Sequence, residues 1–335
     1  MRNRFEKNLV AVCLLFLSSC LFAQQSSSST SVSTASPQGT VTPIPASNPN
    51  QIAILRWYRA NLTASFSVGK GPGQAAFDGS NVWVTNSSSN TVTKLQANDG
   101  TLLGNFPAGS SPSGLAFDGE NIWVADGSTS SVTELRASDG TTLGNFRVGS
   151  SPFAVAFDGA NIWVVNLGSS NVTKLRARDG HLLGTFPVGP SPQGIAFDGA
   201  NIWVANTADS TITKLRAADG AVVGTFIAGT GPVALAFDGA NMWVANQGSN
   251  NVTKLRASDG SVQGTFPVGN LPQSVVFDGT NIWVTNFSSN TVTKLRATDG
   301  ALIGTFPTGQ FPEGIAFDGA NVWIVNAGSD TVSKH

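Results

Sequence analysis

Seven aspartates stand 40 residues apart: Asp78, Asp118, Asp158, Asp198, Asp238, Asp278 and Asp318. A row of carboxylates raises metal binding first. A calcium-type loop needs several oxygen ligands converging on one point. Each aspartate here sits alone in Phe-Asp-Gly-x-Asn, the pattern of a side chain capping its own turn. A second row (Asn86, Asn166, Asn206, Asn246, Asn286, Asn326, with Asp126 in the remaining unit) could hold sugar hydroxyls, and is read as turn capping as well. A third row (Lys94, Lys174, Lys214, Lys254, Lys294, Lys334) has Glu134 in the same unit as Asp126. It reads as a solvated charge ladder, and Glu120, Asp126 and Glu134 make that unit locally acidic.

Little else here could do covalent chemistry. The chain has two Cys, both before residue 21, and two His. A Cys/His zinc site or a thiol nucleophile in the repeated body is therefore excluded. A Ser-His-Asp triad would have to use His181 or His335. No cofactor motif is found, so none is expected. A formal charge of −1, with only 12% charged residues, lacks the basic face of a nucleic-acid binder.

These rows must be positioned by a repeat. Phe-Asp-Gly starts at 77, 117, 157, 197, 237, 277 and 317, and a Trp follows six residues after each Phe. The unit from 192 to 229 shows the plan. A short apolar run ends at Phe197. Asp198-Gly199 turns the chain, with Gly free to take positive φ. Residues 202–206 are apolar on both faces, as a central strand requires. Residues 211–216 alternate charges in a β-rich strand, and a second Asp-Gly turn leads to a fourth strand over 221–227. Pro187 and its equivalents place that fourth strand at the outer edge, where a lost ladder bond is tolerated. Four antiparallel strands in about 40 residues make a propeller blade. The expected fold is an all-β, seven-bladed propeller spanning 51–335. The seventh unit stops within its third strand, and 61–69 aligns with 301–309. The N-terminal strand should therefore complete the last blade and remove the exposed edges. Residues 51–56 also align with a third strand and compete with 331–335; the C-terminal copy is expected to win, leaving Trp57 and Tyr58 outside.

The Phe-Asp-Gly-x-Asn-Ile-Trp-Val-Ala-Asn run, then Thr-Val-Thr-Lys-Leu and Phe-Pro-Val-Gly-x-x-Pro, resembles the YVTN and NHL groups of bacterial, exported β-propellers. The resemblance covers residues 51–335 and implies a binding or surface role. The chain also looks similar in outline to the streptogramin lyases, propeller enzymes with a catalytic His and a bound magnesium near the channel mouth. Only His181 and His335 could correspond.

A four-stranded meander puts first-to-second and third-to-fourth turns on one face, and second-to-third turns and interblade links on the other. The first face is nearly identical in all units; the second varies. Variable loops on a rigid scaffold are where binding is usually found. Leu271, Phe287 and Phe311 fall on adjacent blades of that face, with Gln273 and Glu313 beside them at the channel mouth. Phe153 and Leu167 form a second candidate patch. Exposed aromatics flanked by polar groups suit a protein or glycan contact.

Residues 1–23 read as a signal peptide. A basic start precedes the apolar run 9–17, which is too short to span a bilayer. Two processing routes compete: lipidation at Cys20 in Leu-Ser-Ser-Cys, or cleavage after Ala23. The Ser/Thr/Pro-rich stretch 24–50 reads as a flexible tether. The expectation is therefore an exported, monomeric propeller of the cell envelope that binds an envelope protein or glycan and meets the membrane only through an N-terminal lipid. The alternatives are a lyase-type enzyme and a structural spacer in a surface layer. Changing Cys20→Ala separates the processing routes: loss of membrane fractionation marks the lipobox, and unchanged fractionation marks cleavage after Ala23.

Overall fold

The computed structural model describes residues 64–335. The signal segment with Cys20, the tether 24–50 and residues 51–63, with Trp57 and Tyr58, lie outside them. The described residues form seven four-stranded antiparallel sheets arranged as a seven-bladed β-propeller. The fourth blade shows the order: Pro192–Phe197, Asn201–Asn206, Thr211–Arg216 and Val222–Ile227, each strand paired with the next. One 3₁₀ turn, Phe287–Ser289, interrupts the pattern in the sixth blade. No helix among the described residues is long and apolar enough to cross a membrane.

Closure follows the sequence expectation. Ala64–Ser67 pairs antiparallel with Thr331–Lys334, which pairs in turn with Val322–Asn326. The C-terminal segment thus fills the third slot of the seventh blade. The ring leaves no first strand without a neighbour, since the last first strand, Pro312–Phe317, packs beside Pro72–Phe77.

The core lies between blades. Seven apolar clusters each join the Trp side of one blade to the second strand of the next: Trp203, Ala205 and Ile212, for example, pack on Leu235, Met242, Val244 and Leu255. The indoles are buried because a second strand in the middle of a blade has both faces covered. Each ring meets the Phe of its own fourth strand at 5.2–5.8 Å between centroids, as in Trp203–Phe226 and Trp283–Phe306. The cluster at the sixth junction is the smallest, because His335 takes the place that Leu295 or Leu255 holds in other blades. Its Nε2 is buried with no partner among the described residues, and burial pushes its pKa down.

The aspartate row turns out to have two tasks. Asp198 Oδ1 accepts from the backbone N–H of Ala200 and Asn201, closing the expected turn. Its Oδ2 accepts from Trp203 Nε1 at 2.7 Å. The same indole bond recurs in all seven blades. Burial pushes the Asp198 carboxyl up, but these donors outweigh it and hold its pKa below the usual carboxylate range. The second Asp-Gly turn has a steric reason of its own. Gly220 sits at φ +76, and a Cβ there would run into the ring of Phe186 from the preceding blade.

The lysine row corrects the sequence reading. Lys94, Lys174, Lys214 and Lys254 are buried, and each ammonium lies over its own blade's Trp, as Lys214 does over Trp203 at 4.8 Å. Lys214 Nζ also donates to the Ala257 carbonyl of the next blade at 2.6 Å. A lysine tolerates burial when its charge is paired in this way. The asparagine row is fully buried as well; Asn206 Nδ2 donates to Thr211 and Thr213 Oγ1, tying the second strand to the third. This row therefore offers no surface amide to a sugar.

Replacing Asp198→Ala should lower the unfolding free energy by about 2–3 kcal/mol in urea titrations, since it strands a buried indole N–H and opens a turn. A loss below about 0.5 kcal/mol would show that the indole bond contributes little.

Candidate functional site

The first strand of every blade carries a register shift just after its Pro, between Pro192 and Gly194 in the fourth blade and between Pro272 and Ser274 in the sixth. The residue at the bulge leaves the ladder and is re-aimed. Phe153, Gln193, Val233, Gln273 and Glu313 are those residues, and all line the central channel. Together with Gln74 they border a cavity of about 140 Å³. Small residues let the first strands approach: a Cβ on Gly194 would meet the Val233 carbonyl, and one on Gly314 would meet Gly73 O. Thr285 braces the bulge beside Glu313. Its Oγ1 accepts from Ser274 N and donates to the Glu313 carbonyl oxygen.

Glu313 is the one ionisable group among the residues that line the cavity. Burial pushes its carboxyl up from the ordinary glutamate value. No side chain among the described residues donates to it. A lone desolvated carboxyl amid amides can hold hydroxyl or amide groups of a ligand.

The links and turns of the same face are stitched together by backbone bonds. In the sixth blade Phe287 N donates to Leu271 O, and in the seventh Ala327 N donates to Phe311 O. The structure brings Phe287 and Phe311 together across the blade boundary: their rings stack at 4.9 Å with 19° between planes. Phe311 also lies over Gly328, where a Cβ would collide with its ring. Leu271 and Phe311 stay 38% and 45% exposed. Both have left-handed backbones, φ 51° and 53°, with their N–H groups held by Asn250 and Asn290 side chains. The five equivalent positions are Gly71, Ser111, Ser151, Ser191 and Gly231. A bulky side chain at positive φ is rare and costs about 1–2 kcal/mol. Gln273 and Glu313 follow these two residues by two positions, at the channel. The second proposed patch separates: Phe153 lines the channel, while Leu167 sits half-buried in a second-to-third turn.

Neither histidine is part of this face. His181 is exposed beside Asp179-Gly180, a third-to-fourth turn on the opposite face. His335 lies in the closing blade, its backbone paired with Val322. No group of three Asp, Glu, His or Cys side chains suited to a metal ion gathers among the described residues.

One feature escaped the sequence reading. The outer strands carry an apolar belt in which Leu102, Leu182, Val222, Ile227 and Leu302 are each more than half exposed. Its signal was present, since those strands open on paired aliphatic residues, but the alternation resembled that of a covered strand.

No family model matches the chain, and no curated protein matches it. Solved structures share its fold. A hydrazine synthase chain from Kuenenia stuttgartiensis aligns with TM-score 0.69 and 19% identity, over 79% of this chain and 95% of that one. A streptogramin B lyase aligns at 0.71 and 18%, over 82% and 96%. A catalytically inactive virginiamycin B lyase from Staphylococcus aureus with quinupristin aligns at 0.70 and 16%, over 82% and 98%. At these identities the likeness shows the propeller architecture alone.

The Glu313 carboxyl gives a pH test. Its ionised form is disfavoured in the folded state, so the penalty grows as pH rises above the unfolded value and vanishes below it. Glu313→Gln should melt above the wild type at pH 8, and the gap should close below about pH 4. Equal melting at both pH values would place the carboxyl in open water.

Proposed function

We propose that this chain is an exported binding module of the bacterial envelope. It takes a protein or glycan partner on the face that carries the interblade links. The observation behind this reading is the Phe287–Phe311 stack, flanked by Leu271. Two bulky apolar residues are held exposed in a backbone conformation that five sister links fill with Gly or Ser. Strain kept at an exposed position is a reason to look for function there. Aromatic anchors beside amides and one carboxyl form a surface that can cover an apolar partner group and orient polar ones. The export part rests on the apolar run 9–17 and the Ser/Thr/Pro tether. The lyase-type alternative draws on the two lyases among the fold neighbours. It would need a general base at the channel mouth other than histidine, and Glu313 is the residue placed to serve.

The test compares residues 24–335 with a Leu271→Gly, Phe287→Ala, Phe311→Gly variant as baits for envelope proteins and for purified envelope glycans. Glycine takes positive φ freely, so the variant should melt no lower than the wild type. It should nonetheless lose at least 10-fold in affinity for the captured partner. A partner held equally by both baits, or none on either, would refute this face as the binding surface.

A further inference from the structure

Six blades place a lysine ammonium 4.5–5.0 Å over their own Trp ring. In five of these the ammonium also donates to the next blade, as Lys94 does to Ala137 O at 2.6 Å and Ser138 O at 3.2 Å. Lys214 and Lys294 further lie 3.9 Å from Asp198 and Asp278 Oδ2. The indole face is common to all six, backbone carbonyls complete the site in five, and an aspartate stands close in two, so each is a cation site filled by the chain itself.

The second blade breaks the rule. Glu134 holds the lysine position opposite Trp123, in the same register. It has no N–H to give to Ala177 O and Arg178 O, the carbonyls equivalent to those that Lys94 reaches. Glu134 is 8% exposed, and only its Oε1 has a donor among the described residues, Asn121 Nδ2 at 2.9 Å. The other turn asparagines donate to their own aspartate instead, as Asn161 does to Asp158. Asn121 is turned to Glu134, and its Oδ1 is left buried with no partner among the described residues, alone of its row. Burial first, then the charges of Asp118 and Glu120, push the Glu134 carboxyl up to about 7. The Arg178 guanidinium, on the residue that carries the second of these carbonyls, is turned to Asp179 at 3.6 Å and is mostly exposed.

We propose that this junction binds a hard metal cation. Its ligands are the Glu134 carboxylate, the Asn121 Oδ1, the Ala177 and Arg178 carbonyls and, behind them, Asp118. Oxygen ligands, one carboxylate at close quarters and a pocket shaped for a positive charge suit calcium or an alkali cation rather than a thiophilic metal. The cation takes the place of the missing ammonium and ties the second blade to the third.

The experiment is thermal unfolding of residues 24–335 after chelation, titrated with calcium chloride, sodium chloride and potassium chloride at matched ionic strength. The wild type should gain at least 3 °C, saturably, with one of these cations. Glu134→Lys, which restores the sister arrangement, should melt as high as the loaded wild type and ignore the salt. Glu134→Gln should fold and respond at least 10-fold more weakly. A saturable response to calcium identifies a divalent site, and one to sodium or potassium a monovalent site; either supports the proposal. A wild type blind to all three, or a Glu134→Lys variant that responds equally, overturns it. In the first of those outcomes, destabilisation by Arg178→Ala would assign the compensating charge to that side chain.

Discussion

The whole ring depends on how a buried indole is satisfied at each blade boundary. A Trp that removes 150–250 Å² from water is worth roughly 4–6 kcal/mol by area. Its N–H would forfeit part of that gain if left without an acceptor. The aspartate of the preceding turn supplies one in every blade, from a position fixed by its own backbone bonds. One side chain therefore sets the turn, the orientation of the indole and, through the ring's far face, the contact with the next blade. No blade can bury its Trp alone, so stability comes from neighbours, and a ring is the arrangement in which every blade has two.

That division of labour explains where variation can occur. Asp, Trp, Lys and the outer Phe all meet at the junction, and the Asp-Gly turns pack against it. A change to any of them disturbs two blades. The bulge residues and the interblade links make none of the hydrogen bonds that hold the indole or the ammonium. Glu313, Gln273 and Phe153 can differ from blade to blade because the bulge has already taken them out of the ladder. Phe311 can replace the Gly or Ser of other links because only its own backbone bears the strain, held by the Asn290 side chain.

Much of this was legible from the sequence for one reason: a 40-residue period makes every unit a test of every other. Strand order, blade count, closure by 64–67 and the turn role of Asp198 all follow from local patterns repeated seven times. The lysine row was misread because alternating charge in a strand normally marks a wet face. What buries Lys214 is its register against Trp203 and the approach of a carbonyl from another blade, and neither leaves a trace in local spacing. The Phe287–Phe311 stack was legible as proximity but not as orientation, since ring direction is set by the left-handed backbone at 311. Phe153 and Leu167 fall apart for the same reason, as the bulge aims one into the channel and leaves the other in a turn.

Near-identical repeats also sharpen the meaning of exceptions. In a protein without internal symmetry, a buried glutamate with a high pKa has no reference. Here five sister junctions state what the backbone around position 134 is shaped to hold, and it is a positive charge. The link exceptions at 271 and 311 are judged in the same way, against five sisters that place only Gly or the small, polar Ser in that left-handed conformation. The two departures lie on opposite faces and in different blades, so neither compensates for the other. The two proposals answer them from outside the ring: a partner at the strained links, and a cation at the junction that lacks its lysine.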